Sequence, residues 1–291
     1  MFSGSHVALI TPMFADGQVD YPSLKRLLDY QLQHGTDGLV IMGTTGEAAT
    51  IPFHEQLEVL QFVIEHVQGR CQIIAGNGSN STAEAVEKTV ALNALAIDGF
   101  LTVTPYYNKP TQKGMLAHFQ AVAAATDKPV LLYNVPGRTG VDLLPATVAQ
   151  LATVPNITGI KEATGSLQRL SDLQAVVGKD FALLSGDDAS ACDFLLQGGH
   201  GVISVTTNIA PKAMTAMIQA ARTGDADTAK KVDATLQPLH RDLFIESNPI
   251  PSKWALLRLG LISSDFARLP LTQLEPIHQS AIEQALHAAH L

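Results

Sequence analysis

The chain has 291 residues, 27 acidic side chains against 19 basic ones and a net charge of -8 at pH 7, a balance that excludes an electrostatic nucleic-acid binder. Apolar residues make up 46% and charged residues 16%, which suits a buried core and excludes disorder. That length fits two ordinary domains or one large α/β barrel, and polar residues or glycine interrupt every apolar stretch before the roughly 18 residues a membrane-spanning helix needs.

The opening Met1-Phe2-Ser3-Gly4-Ser5-His6 has neither the basic stretch nor the apolar core of a secretory leader, so the expected compartment is the cytoplasm. The first predicted strand runs from His6 to Ile10 and the second from Gly38 to Met42, where it meets Gly43-Thr44-Thr45-Gly46-Glu47. Leu57, Leu60, Val63, Ile64 and Val67 then fall on one face of a helix. A third strand, Gln72 to Ala75, leads to Ser81-Thr82-Ala83-Glu84, which has the form of a helix capping box. The fourth, Gly99 to Val103, leads to Thr104-Pro105-Tyr106-Tyr107-Asn108, and the fifth, Val130 to Tyr133, to Asn134-Val135-Pro136-Gly137-Arg138-Thr139-Gly140. Ile157 to Lys161, Phe181 to Leu184 and Gly201 to Val205 complete the set of eight. Beyond about Gly224 the spacing is helical, with breaks at Pro249 and Pro251 and at Pro270.

Near-continuous apolar runs alternating with helices predict parallel strands buried on both faces, and eight of them predict a (β/α)8 barrel. The alternative is an open doubly wound sheet, but Gly76-Asn77-Gly78-Ser79-Asn80-Ser81 lacks the third glycine of a dinucleotide fingerprint. Gly43 to Glu47 is likewise no Walker loop, because Gly-Lys-Ser/Thr does not follow. Cys71 and Cys192 are distant and outside any C-x-x-C, and the ten histidines, His200 among them, show no ligand spacing, so no disulfide, metal or cofactor is expected. Asp187-Asp188 reads as an N-cap for a helix beginning near Ala189.

In a barrel of this kind the chemistry sits at the carboxyl ends of the strands. Lys161 ends an apolar run, where an ammonium is held at a substantial desolvation cost. An amine so placed attacks a ketone to form a Schiff base, although pairing with Glu162 or snorkelling to solvent accounts for the residue equally well. Tyr133 has the chemistry of a general acid and base, against the commoner structural hydrogen bond. Thr44 and Thr45 offer hydroxyls to a small carboxylate or simply make a tight turn. Arg138 has the fork that binds a carboxylate, against a surface ion pair. Tyr106 and Tyr107 suit an interface equally.

Gly43-Thr44-Thr45-Gly46-Glu47, Tyr133-Asn134-Val135-Pro136-Gly137-Arg138-Thr139-Gly140 and Gly159-Ile160-Lys161-Glu162-Ala163 resemble the signatures of the dihydrodipicolinate synthase family. The similarity extends through Val103 to Pro110, Leu184 to Asp188 and Gly199 to Val205 as far as Asn248-Pro249-Ile250-Pro251. It implies a catalytic (β/α)8 barrel over 1–224, a C-terminal all-helical domain over 225–291 and a homotetramer built as a dimer of tight dimers. It also implies condensation of pyruvate with L-aspartate 4-semialdehyde in lysine and diaminopimelate synthesis. Lys161 then forms the Schiff base, and Tyr133, Thr44 and Tyr107 form a proton relay, with Tyr107 supplied by the partner subunit. Thr45, Gly186 and Ile203 match the pyruvate pocket, and Arg138 matches the binder of the semialdehyde carboxylate.

Ala49, Asn80, Glu84 and Tyr106 match the family's lysine feedback site. Lysine-sensitive relatives commonly carry histidines where this chain has Phe53 and Gln56, and a serine at Ala48, so weak inhibition is expected. Two other readings remain: an aldolase or lyase of sugar acids, as in N-acetylneuraminate lyase and the ketodeoxygluconate aldolases, and a catalytically silent binding barrel. The former shares the lysine and tyrosine but has no evident use for Arg138; the latter leaves Lys161, Tyr133 and Thr44 without a role.

Overall fold

The structure is a computed structural model that describes residues 2–291. Eight parallel strands, β1 (Gly4–Ala8), β2 (Gly38–Ile41), β3 (Gln72–Gly76), β4 (Gly99–Val103), β5 (Val130–Asn134), β6 (Ile157–Glu162), β7 (Ala182–Ser185) and β8 (Gly201–Ser204), close into a barrel in sequence order. β8 pairs with β1, with His6 opposite Ile203, so no strand edge is left open.

Each predicted run falls on a strand, and the ends differ for local reasons. β1 is displaced toward the N-terminus: Gly4 takes the His200 carbonyl at 3.0 Å, while the Ile10 N–H leaves the ladder for the Asn208 side chain at 3.1 Å. β2 stops at Ile41 because Met42 takes a left-handed conformation, φ 57°. Phe181 belongs to a turn closed on Gly178, and Val205 leads into a 3-10 turn, Thr206–Asn208.

Two apolar layers result from strand alternation. Ala8, Val40, Ile74, Leu101, Leu131 and Leu184 fill the barrel, and Tyr133 and Ile203 close its upper layer. The opposite faces meet the helices, as in Phe53–Val67, which buries Val59, Leu60, Val63 and Val67. Leu57 and Ile64 are half-buried at the margin of that stripe. Ser81 caps the helix Thr82–Asn93, but the predicted capping box forms by half, because the Glu84 carboxylate accepts from the Ser79 hydroxyl at 2.7 Å instead.

After the barrel come helices Ala226–Asp242, Ile250–Arg258 and Pro276–Ala288. Pro249 and Pro251 start a helix rather than merely break one: Pro249 is its N-cap and Pro251 lies in its first turn, where a missing N–H costs nothing. Asp187 and Asp188 do not cap a helix at Ala189. The helix is Ala191–Leu196; Asp187 accepts from Ser190, and Asp188 accepts from the N–H groups of Val205 and Thr206, both at 2.9 Å, fastening the turn after β8. Cys71 and Cys192 are free, their thiols pushed up to about 11, mainly by burial. Among the described residues no helix is long and apolar enough to cross a membrane.

Candidate active site

Register places the central pair: Tyr133 on β5 lies opposite Lys161 on β6, and both side chains turn into the barrel. Lys161 is 5% exposed, and its Nζ stands 4.4 Å from the centre of the Tyr133 ring. Gly186, just after β7, makes room for it, since a Cβ there would lie 2.7 Å from the Lys161 Cε. Strand alternation sends Glu162 the other way, so it does not pair with its neighbour. Its carboxylate accepts from Asn134 at 3.1 Å and from the Thr164 N–H at 2.8 Å, with Arg169 3.7 Å away. Lys161 is left without an ion-pair partner among the described residues.

Sequence reasoning passed over the network beneath this pair. Asn134 bridges Glu162 and Asp142, and Arg169 grips Asp142 with two hydrogen bonds, of 2.9 and 2.5 Å. Those bonds hold the Asp142 carboxyl below its ordinary range, while burial pushes Glu162 up against the pull of Asn134 and Thr164. The network fixes the end of β6, and with it the backbone of Lys161.

Above Tyr133 opens a cavity of about 340 Å³, lined among others by Thr44, Val103, Tyr133, Arg138 and Thr139. Its floor includes Gly76, where a Cβ would strike the Met42 carbonyl at 2.0 Å. Arg138 is exposed at the rim and makes no ion pair among the described residues, so the surface-pair alternative has no partner here. Thr45 and Ile203 are buried and, like Lys161 and Gly186, do not line the cavity; Thr45 accepts a hydrogen bond from Asn248 at 2.9 Å.

Tyr107 is not brought to these residues. It is 88% exposed, with a left-handed backbone at φ 76°, and does not line the cavity. Ala49, Glu84 and Tyr106 line the outer part of the same cavity together with Ala48, Gln56 and Lys88. Asn80 does not; it is half-buried, and its carbonyl accepts from Asn108 at 2.8 Å. Phe53 is half-buried at the start of its helix.

Other polar groups reach the site from the far end of the chain, and sequence reasoning missed them. Glu47 is buried and paired with the fully buried Lys253, and its second oxygen accepts from the Arg268 N–H at 3.0 Å. The sequence signal was a lysine among apolar neighbours, Pro249-Ile250-Pro251-Ser252-Lys253-Trp254-Ala255-Leu256.

Chemically, an all but buried amine, a phenol ring between it and the cavity's lining, a hydroxyl and a free guanidinium suit imine formation with a small carboxylated carbonyl compound. A family model described as "Dihydrodipicolinate synthetase family" matches residues 1–289. The 4-hydroxy-tetrahydrodipicolinate synthase of Pseudoalteromonas atlantica is 56% identical over 98% of this chain and 98% of its own. Among solved structures, the chloride-inhibited dihydrodipicolinate synthase of Acinetobacter baumannii, complexed with pyruvate, is 47% identical with a TM-score of 0.97, covering 100% of this chain and 99% of its own. The enzyme of Cyanidioschyzon merolae with lysine bound is 40% identical with a TM-score of 0.95, over 100% of this chain and 99% of its own.

Proposed function

The chain belongs to the dihydrodipicolinate synthetase family, and we propose that its condensation of pyruvate with L-aspartate 4-semialdehyde runs through a Schiff base on Lys161. The product is 4-hydroxy-tetrahydrodipicolinate, in the lysine and diaminopimelate pathway. The observation that carries the assignment is an all but buried lysine without an ion-pair partner, packed on a tyrosine at the floor of the barrel-mouth cavity.

The Lys161 Nζ adds to the ketone carbon of pyruvate and water leaves, giving an iminium. Loss of a methyl proton yields an enamine, whose carbon attacks the aldehyde while the aldehyde oxygen takes up a proton. The amino group of the adduct then attacks the iminium carbon, closing the ring and releasing the Lys161 amine. Tyr133 and Thr44 move the protons, joined by Tyr107 from a partner subunit; Thr45, Gly186 and Ile203 hold pyruvate, and Arg138 takes the semialdehyde carboxylate.

Tyr107, turned away from its own cavity and exposed, supports a relay completed across a dimer, and we extend this to a homotetramer of two such dimers, acting in the cytoplasm. Residues 1–224 carry the chemistry and 225–291 brace it. Steady-state turnover with two aldehydes tests the assignment. We expect condensation with the semialdehyde and none with a polyhydroxylated sugar aldehyde, and in Arg138→Ala a higher KM for the semialdehyde. Preference for the sugar aldehyde would favour the sugar-acid reading.

A further inference from the structure

We propose that Asn248, which lies beyond the barrel, is a positioning residue for this reaction: its amide turns the Thr45 hydroxyl hydrogen toward the carboxylate of pyruvate. The proposal rests on the placement of Thr45 in the pyruvate pocket given above.

A threonine hydroxyl has one hydrogen to donate and two lone pairs. The Asn248 Nδ2 donates to the Thr45 oxygen at 2.9 Å, which occupies a lone pair and leaves the hydrogen for another acceptor; the Asn248 Oδ1 is buried with no partner of its own among the described residues. Among the described residues nothing accepts it, although Thr45 is buried, where an unused donor is costly. A substrate carboxylate in the mouth supplies the missing acceptor.

The surrounding turn shows why the hold has to come from outside the barrel. Met42 (φ 57°) and Glu47 (φ 59°) both adopt left-handed backbone, and such conformations persist where neighbouring structure over-determines them. Three contacts from the post-barrel region converge on residues 45–47: Asn248 on Thr45, Lys253 on the Glu47 carboxylate, and the Arg268 N–H on the same carboxylate. Lys253 is itself fixed, donating to the Phe266 carbonyl at 2.7 Å. The lysine and arginine contacts anchor the turn, while the asparagine contact alone reaches the hydroxyl that the proposed function assigns to pyruvate.

The test is a double-mutant cycle on the KM for pyruvate, with the semialdehyde saturating. Asn248→Ala should raise that KM about ten- to hundredfold, the range for losing a hydrogen bond to a charged group, with kcat largely kept. Thr45→Val should do the same. With no hydroxyl left to orient, Asn248→Ala in the Thr45→Val background should add nothing further. In Thr45→Ser, which keeps the hydroxyl, the dependence on Asn248 should return. Asn248→Asp preserves the packing volume but only accepts, drawing the Thr45 hydrogen inward, and should raise the pyruvate KM even if the alanine variant does not fold. An unchanged KM in Asn248→Ala or Asn248→Asp, or effects that simply multiply with Thr45→Val, would overturn the proposal. Borohydride trapping of pyruvate on the wild type separates the two levels: an adduct with no Asn248 dependence sinks this inference alone, and no adduct sinks the reading beneath it as well.

Discussion

Lys161 and Tyr133 are register partners on adjacent strands, and the lysine Nζ stands 4.4 Å from the centre of the tyrosine ring. The tyrosine ring therefore packs directly against the amine. Tyr133→Phe keeps the ring and deletes only the hydroxyl. We expect kcat to fall by about 10²–10⁴ while pyruvate still attaches to Lys161. Steady-state and trapping measurements on one preparation check both, and an unaltered kcat would remove Tyr133 from the relay.

The exposure of Tyr107 predicts complementation between subunits. Tyr107→Phe and Lys161→Ala should each be nearly inactive alone. Unfolded and refolded together, half of the dimers pair one of each, and each such dimer holds one intact site, so about a quarter of wild-type activity should return. No recovery in demonstrably mixed dimers would place Tyr107 outside the partner's site, and an active, well-folded monomeric variant would overturn the shared relay.

Lysine should inhibit weakly. The Gln56 amide is already spent on the carbonyls of Ala48 and Ile51, at 3.0 and 2.7 Å, and Ala48 offers no hydroxyl. Glu84, matched above to the feedback site, is paired with Lys88 at 3.0 Å and accepts from Ser79. An incoming amine therefore competes with an internal one. Titration of the condensation with L-lysine checks this; an inhibition constant well below cellular lysine levels would contradict it.

Acid should weaken the fold in two stages. Burial holds His6, His118 and His200 below the ordinary 6.5. The unfolded chain binds protons at these positions first, so their contribution is full above about 6.5 and is lost as the pH falls below it. The carboxylates Asp142 and Glu55, held down by Arg169 and Arg268, lose theirs only as the pH falls below their ordinary values of 3.8 and 4.5. Tm should start to fall just below neutrality, and His6→Gln should flatten that first stage. A Tm constant from about pH 7.5 to 5.5 would contradict the assignment of the histidines.

The barrel was legible because its signal is local: eight apolar runs, each long enough for one strand, separated by helical spacing. Lys161 and Tyr133 were legible because strand ends in such a barrel are where side chains meet. Strand ends at Met42 and Val205 were not, because a left-handed residue and a 3-10 turn leave little mark on composition. Nor were Asn248 and Lys253, whose partners Thr45 and Glu47 lie 203 and 206 positions away; only the folded chain brings them together.

Lys161 as the Schiff-base amine is tested most directly by the intact mass of the protein after incubation with pyruvate and borohydride, wild type beside Lys161→Ala, since reduction makes an imine permanent on the amine that formed it. One reduced pyruvate adduct per chain, absent in the variant, is the predicted result. A folded wild type that gains no mass, or a variant that gains as much, would contradict the assignment of Lys161.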